Sequence, residues 1–187
     1  MKIIVKETEN LYIINKSKFI GIIKKVFSEE DVLNILKEFK EQYHDATHIC
    51  YAYILPKSSK CSDDKEPSGT AGLPILDVLK KNDLCYTLAI VIRYFGGIKL
   101  GSNGLIRSYS TTISQIIKDN IKDIEEGYLI EIDEDYKNAD TINYLLKDAH
   151  IIRKDFQERI IIQAEVTKKM LENLSNIQYK ILQEIIL

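Results

Sequence analysis

The sequence predicts an α+β protein of two domains. Apolar runs typical of buried strands alternate with segments whose apolar residues recur at helical spacing. This pattern changes at residues 123–127, an acidic linker that ends in glycine. Because 187 residues suffice for two small domains, we place the first domain at residues 1–124 and the second at residues 128–187.

Four early segments predict strands because they are rich in β-branched and aromatic residues. The last of them carries apolar residues on both faces, which is typical of a strand inside a sheet. These strands cover residues 3–5, 11–14, 19–27 and 49–55.

Two helices are predicted around the fourth strand. The first follows Ser28, a good N-cap residue, and the acidic residues 29–31 suit the positive end of its dipole. The second runs from Pro74, a residue type that suits the first helical turn, to about Lys81. The predicted core face of the first helix consists of Val32, Leu33, Leu36 and Phe39.

Residues 56–72 are predicted to form a long loop without secondary structure, which is usually a functional feature. The loop carries Asp63, Asp64 and Glu66 within four positions. We favour a solvated or arginine-paired loop over a Mg²⁺ site, because no further metal ligands are identifiable in the sequence. His48 precedes a strand and no H-E-x-x-H motif is present, so we interpret His48 as a residue at the edge of the site.

The chain is organised around residues 86–118, which predict a strand, a glycine-rich turn and a helix. Ser102 or Asn103 is the candidate N-cap of that helix. Its apolar face consists of Leu105, Ile106, Tyr109, Ile113, Ile116 and Ile117.

The same segment combines cations and glycines with a complete lack of acidic residues. A helix N-terminus attracts anions through its free N–H groups and its dipole. We therefore favour an anion-binding loop over a joint whose glycines only let the chain turn, and we expect the acidic loop to lie close to Arg93 or Arg107. The residues assigned to this loop are Arg93, Tyr94, Gly96, Gly97, Lys99, Gly101, Gly104 and Arg107.

The second domain is predicted to have the order βαββαβ, which is that of a ferredoxin-like domain. We see no catalytic constellation in it. Its predicted strands cover residues 128–133, 150–155, 159–166 and 179–186, and its helices cover residues 138–147 and 167–175.

The composition excludes several classes of protein. A formal net charge of −2 gives no global attraction to nucleic acid or membrane, so any basic surface is local. No apolar run approaches the ~20 residues of a membrane span, and the start of the chain lacks the apolar core of a signal peptide. The three cysteines have no C-x-x-C spacing. These observations favour a cytoplasmic protein with free thiols and without a metal or other cofactor.

Two blocks of sequence carry a resemblance to a known family. The blocks DDKEPSGTAGLPIL (63–76) and VIRYFGGIKLGSNGLIRSY (91–109), together with residues 16–19 and 46–52, resemble the signature segments of the YigZ/IMPACT family. Three positions depart from the family pattern: Lys65 and Asn103 stand where glycine is usual, and Ser108 stands where alanine is usual.

The resemblance implies a fold for each domain. The first domain would share the fold of domain four of elongation factor G and of GHMP kinases, and the second would resemble the small ferredoxin-like domain of bacterial members. The eukaryotic relatives restrain a translation kinase by competing for its activator, and for bacterial members the family implies nucleic-acid or ribosome binding.

Two function classes remain open. The favoured one is a translation-associated regulatory protein that binds RNA or the ribosome. It would use Arg93, Lys99 and Arg107 on phosphates, and Tyr94 or Phe95 for stacking on a base. The alternative is an enzyme that acts on a phosphorylated small molecule with the same loop as a phosphate cradle. No base-orienter pair is evident, so no catalytic residue is assigned.

Overall fold

The computed structural model describes residues 1–156 and 158–187. The chain divides into two compact units, Met1–Asp123 and Ile124–Leu187, which we call unit 1 and unit 2. Each unit contains both strands and helices, and the predicted α+β class is confirmed.

Unit 1 consists of seven strands and three helices. The strands are β1 (Lys2–Ile4), β2 (Thr8–Ile14), β3 (Ser17–Lys25), β4 (His48–Leu55), β5 (Ser58–Ser62), β6 (Thr87–Tyr94) and β7 (Ile121–Asp123). The helices are α1 (Glu29–Gln42), α2 (Gly72–Lys81) and α3 (Gly101–Ile117).

A five-stranded antiparallel sheet in the order β2-β3-β6-β4-β5 forms the middle layer of unit 1. Successive residues of a strand face opposite sides of a sheet, so β6 supplies two cores at once. Ala89 and Val91 face α2 and α3, whereas Leu88, Ile90 and Ile92 face α1. This double burial explains why β6 is apolar throughout most of its length.

Helix α1 begins as its sequence predicts. Ser28 Oγ accepts the N–H of Asp31, and the Asp31 carboxylate accepts the N–H of Ser28, which together form a capping box. The predicted core face of α1 is wrong at Leu33, which is 67% exposed, because the helix turns Val32 and Leu36 toward the sheet.

Three further sequence predictions about unit 1 are wrong. Residues 56–72 are not without secondary structure, because β5 forms a hairpin with β4 and extends the sheet by one strand. Helix α3 begins at Gly101, and neither Ser102 nor Asn103 caps it. Ile106, placed on the apolar face by its spacing, is 39% exposed.

A small separate sheet closes unit 1. Strands β1 and β7 pair in antiparallel fashion, with Lys2 opposite Asp123 and Ile4 opposite Ile121. Ile3 and Ile4 are almost completely buried. The first strand of the chain is thus held by the last strand of the unit.

Unit 2 has the order βαββαβ in the residues that the structure describes. Its strands are β8 (Glu126–Glu134), β9 (His150–Phe156), β10 (Ile160–Thr167) and β11 (Tyr179–Ile186), paired antiparallel in the order β11-β8-β10-β9. Its helices α4 (Ala139–Leu145) and α5 (Lys168–Asn173) are shorter than predicted, and a 3₁₀ turn, Tyr136–Asn138, precedes α4. No described helix is both long and apolar enough to cross a membrane.

Candidate functional site

The site is centred on Arg93, the penultimate residue of β6. The side chains at positions 89, 91 and 93 alternate onto the face of the sheet that carries α2 and α3. Strand register places Phe19 of β3 on one side of Arg93 and His48 of β4 on the other. The Arg93 side chain therefore lies on the central strand of the sheet, and only 6% of it is exposed.

Arg93 is paired with Glu66 in the interior of unit 1. Arg93 Nη1 lies 2.5 Å from Glu66 Oε1, and the Glu66 side chain is only 3% exposed. The same oxygen accepts the hydroxyl of Tyr109 on α3 at 2.7 Å. Two donors thus stabilise the buried carboxylate. Removing one partner of such a buried pair strongly destabilises the folded protein, because it leaves a buried charge without compensation.

The guanidinium of Arg93 is also held between two aromatic rings. Its Cζ lies 5.3 Å from the ring centroid of Phe19 and 5.6 Å from that of Phe95. Arg93 Nε is buried and has no hydrogen-bond partner, and Nη2 has none among the described residues. The group is therefore fixed in position with part of its donor capacity unused.

Burial controls the chemistry of the neighbouring Cys50 and Tyr109. Burial is the main cause that raises the pKa of the Cys50 thiol to about 12, and the negative charges of Glu66, Asp64 and Asp63 add to it. Burial also raises the pKa of Tyr109, whose hydroxyl donates to Glu66 and contacts Cys50 Sγ at 3.4 Å. Both groups hold their protons near neutral pH, which makes Cys50 a poor nucleophile.

His48 is held in one orientation by the backbone. Its Nδ1 lies 2.8 Å from the carbonyl oxygen of Asp64, and a carbonyl only accepts, so Nδ1 carries a proton. Its Nε2 lies 3.8 Å from Glu66 Oε2. His48 therefore presents Nε2 toward the buried pair.

The three carboxylates of the acidic loop make two different kinds of interaction. Glu66 pairs with Arg93, as one of the sequence expectations required. Asp63 instead accepts backbone N–H groups of Gly69, Ala71 and Gly72. Burial acts to raise its pKa, but these three donors outweigh burial and lower it.

Asp64 also binds the backbone and shapes the approach to Glu66. Its Oδ2 accepts the N–H of Ile49 at 2.6 Å. The next residue, Lys65, adopts a φ of 70°, a left-handed conformation that glycine tolerates best. This conformation fits the glycine that the family resemblance implies at the position of Lys65. The described residues contain no group of three or more His, Cys, Asp or Glu side chains arranged to hold a metal ion.

A cavity of about 440 Å³ opens over this pair, and we call it the Arg93 cavity. Its apolar walls are Pro67, Phe95, Leu100 and Leu105. Its polar lining consists of Thr47, His48, Glu66, Arg93, Lys99 and Ser102, and Gly101 also contributes.

The N-terminus of α3 forms part of the cavity wall. The helix has no side-chain cap and no acidic residue in its first turn, so the N–H groups of its first residues have no partner inside unit 1. Lys99, one residue before its N-cap, is exposed and makes no described ion pair. The negative charge of Glu66 is balanced by Arg93, which leaves Lys99 and the helix dipole as a net positive field.

The glycines of this segment serve different purposes. A side chain on Gly96 would collide with the backbone of Lys16 and Ser17, so Gly96 is required for packing. Gly97 and Gly101 have φ values of 83° and 71° with open space around them, so they are required for the turn. Gly104 lies within the first turn of α3, against Leu100.

Seven of the twelve predicted site residues do not line the Arg93 cavity: Asp63, Asp64, Tyr94, Gly96, Gly97, Gly104 and Arg107. Tyr94 faces the α1 side of the sheet, where its hydroxyl donates to Asp45. Arg107 lies in the second turn of α3 and is exposed, but it is not among the residues around the cavity. The structure thus brings together His48, Glu66, Arg93, Lys99 and Gly101 from the predicted set.

Sequence reasoning missed Phe19 and Tyr109 as parts of the site. Phe19 lies opposite Arg93 only through the register of β3 and β6, and Tyr109 reaches Glu66 from the third turn of α3. Tyr109 was recognised as a core residue of the helix, and its hydroxyl, which needs a partner when buried, was the signal for a second role.

The comparison with known proteins identifies the family. Residues 15–117 match the family model of the Impact N-terminal domain. The chain belongs to the IMPACT family. This match covers β3 to α3 and therefore every residue that lines the Arg93 cavity.

Relatives extend the similarity over both units. The chain is 38% identical over 174 residues to the IMPACT family member YvyE of Bacillus subtilis, covering 88% of this chain and 79% of that protein. It is 32% identical over 171 residues to an IMPACT family member of Haemophilus influenzae, covering 87% and 83%. The crystal structure of a hypothetical protein matches it with a TM-score of 0.62 and 25% identity over 97% of both chains.

Proposed function

We propose that this IMPACT family member is a translation-associated regulatory protein that binds RNA and seats a phosphate in the Arg93 cavity. The observation that carries the proposal is the Arg93 guanidinium. It is nearly completely buried, held in place by Glu66, Phe19 and Phe95, and lines an open cavity, and its Nη2 makes no described hydrogen bond. A fixed, partly unsatisfied guanidinium is suited to a phosphate oxygen, which accepts charge-assisted hydrogen bonds.

Two further donors support a phosphate ligand. The uncapped N-terminus of α3 contributes Gly101 and Ser102, with their free N–H groups, to the cavity wall, and Lys99 adds an exposed positive charge. Phosphate contacts position a protein on RNA without reading its sequence, which fits a site with no base-specific side chains. The assignment to translation is supported by the resemblance to the IMPACT family.

We also propose finer fold assignments. The order β11-β8-β10-β9, with the core between this sheet and helices α4 and α5, supports a ferredoxin-like unit 2. For unit 1, the family resemblance supports the fold of domain four of elongation factor G and of GHMP kinases.

One observation favours the alternative function, an enzyme that acts on a phosphorylated small molecule. His48 is anchored through Nδ1 and presents Nε2 to the cavity side of Glu66, which is the arrangement of a histidine that transfers protons. Turnover of a phosphorylated metabolite by the wild type, lost in His48→Ala, would favour this alternative over the binding protein.

The first experiment measures RNA affinity over a salt series. Fluorescence anisotropy with single-stranded ribosomal RNA fragments gives the slope of log affinity against log salt, which reports released counterions. We expect Lys99→Ala to weaken binding and to flatten the slope by about one unit. Lys118→Ala is the matched control: it lies just beyond the other end of the 17-residue α3, about 25 Å away, and should change neither quantity.

The second experiment separates binding from folding. Ser102→Asp places a carboxylate at the start of α3, where it interacts favourably with the helix dipole by roughly 0.3–1 kcal/mol. We therefore expect a fold at least as stable as the wild type. We also expect a loss of RNA binding, because the carboxylate takes the place of the phosphate at the positive end of the helix dipole. Ser102→Ala keeps the backbone N–H and should bind normally. Unchanged RNA binding by Ser102→Asp would rule out the Arg93 cavity as the phosphate site.

A further inference from the structure

We infer that the Arg93 cavity takes a phosphate monoester of a nucleoside, as found at the phosphorylated end of an RNA strand or in a free nucleotide, and not an internal phosphodiester. This inference rests on the proposed function, since it names the part of the RNA that the cavity binds. It comes from the number of donors, from the depth of the guanidinium and from the walls of the cavity.

The donors around the cavity come from three separate elements. Arg93 Nη2 comes from the end of β6, Lys99 from the following loop, and the free N–H groups of Gly101 and Ser102 from the start of α3. A phosphodiester has two non-bridging oxygens, whereas a phosphate monoester presents three strong acceptor oxygens and carries nearly two negative charges at neutral pH. A site with donors from three separate elements matches the monoester better.

The depth of the guanidinium limits the path that an RNA strand can take through the site. Arg93 is 5% exposed, so only a group that enters the cavity can reach it. An internal phosphate brings a nucleotide on each side and needs a groove that the strand can cross. A volume of about 440 Å³ is within the range of small-molecule sites and accommodates one nucleotide unit better than a crossing strand.

The walls suit the nucleoside that follows the phosphate. Phe95 is 47% exposed, and its ring is already in contact with the Arg93 guanidinium on one side. Leu100, Leu105 and Pro67 continue the apolar surface. A base can pack against these side chains while its phosphate occupies the donors, and such stacking tolerates any base.

The test compares RNA ends of the same sequence. A short single-stranded RNA labelled at its 3′ end is prepared with a 5′-phosphate or a 5′-hydroxyl, and a 5′-labelled strand is prepared with either group at its 3′ end. We expect at least one phosphorylated end to bind about tenfold more tightly than its hydroxyl counterpart. Adenosine monophosphate should compete and adenosine should not. Ser102→Asp should abolish the difference between the ends, and Lys118→Ala should preserve it.

The outcomes separate this inference from the proposed function. Equal binding of phosphorylated and hydroxyl ends would overturn the inference and leave RNA binding intact. Binding of adenosine monophosphate without binding of any RNA would overturn the RNA-binding function and support the ligand chemistry inferred for the cavity. Failure of every RNA and of adenosine monophosphate to bind the wild-type protein would overturn both.

Discussion

Breaking the buried Arg93–Glu66 pair should destabilise unit 1 far more than a typical ion pair would. Glu66→Gln keeps the shape of the side chain but leaves the guanidinium without a counter-charge, and Arg93→Met leaves the carboxylate with Tyr109 as its remaining close donor. The two side chains are 3% and 6% exposed, so solvent does not screen the remaining charge. Removing one partner of such a pair costs roughly 3–5 kcal/mol.

Chemical denaturation followed by circular dichroism measures this loss. The expected cost corresponds to a fall in melting temperature of about 10–20 °C for a domain of this size. Because two units can unfold separately, hydrogen exchange of the β6 amides serves as a local probe of unit 1. The double variant should be less destabilised than the sum of the two single variants, since both remove the same interaction.

Arg159 provides the matched control. Its Nε lies 2.5 Å from Asp133 Oδ1, the same separation as in the buried pair, but the two side chains are 46% and 59% exposed. Arg159→Met should therefore leave stability almost unchanged. Equal effects of Arg93→Met and Arg159→Met, or strictly additive effects of Arg93→Met and Glu66→Gln, would show that burial of this pair does not have the importance that we assign to it.

Three further predictions concern single residues around the site. Asp63→Asn should lower the free energy of unfolding by about 1.5–3 kcal/mol above pH 4, and this gap to the wild type should shrink as pH falls below 3.8, because the folded pKa of Asp63 is lowered. Denaturation at several pH values tests this, and a gap independent of pH would contradict it. Cys50 should resist alkylation at about pH 8 in the native protein, as its pKa of about 12 leaves almost no thiolate, and rapid native labelling detected by mass spectrometry would contradict it. Gly96→Ala should lower the melting temperature of unit 1, because the added methyl group would collide with the backbone of Lys16 and Ser17, and a melting temperature equal to that of the wild type would exclude this packing role.

Much of the fold could be predicted because local pattern determines it. The capping box at Ser28 and Asp31 and the apolar run of β6 depend on residues close together in the chain, and both are found. Leu33 was assigned wrongly because it lies next to true core positions. Which residues of the apolar face of α1 are buried depends on how the helix packs against the sheet. Strand β5 was missed because its polar sequence pairs at the edge of the sheet, where tertiary contact outweighs propensity.

The site could be predicted only in part. The lack of acids around Arg93 and the nearby acidic cluster indicated that the two signature blocks meet, and Glu66 does reach Arg93. Which of the three acids would do so depends on the backbone N–H groups that Asp63 accepts, and these are brought together only by the turn into α2. Tyr94 was grouped with Arg93 as a neighbour in sequence, although adjacent residues of a strand face opposite sides.

The pairing of β1 with β7 has a consequence for how the protein is made. Lys2 pairs with Asp123, so the two strands of this small sheet are separated in sequence by almost the whole of unit 1. Contacts so distant in sequence form late and slow the folding of a chain. During synthesis the pairing of Ile3 and Ile4 with β7 has to wait until residue 123 has been added. The newly made N-terminal strand therefore lacks its β7 partner, and exposes one unpaired edge, while the rest of unit 1 is being made.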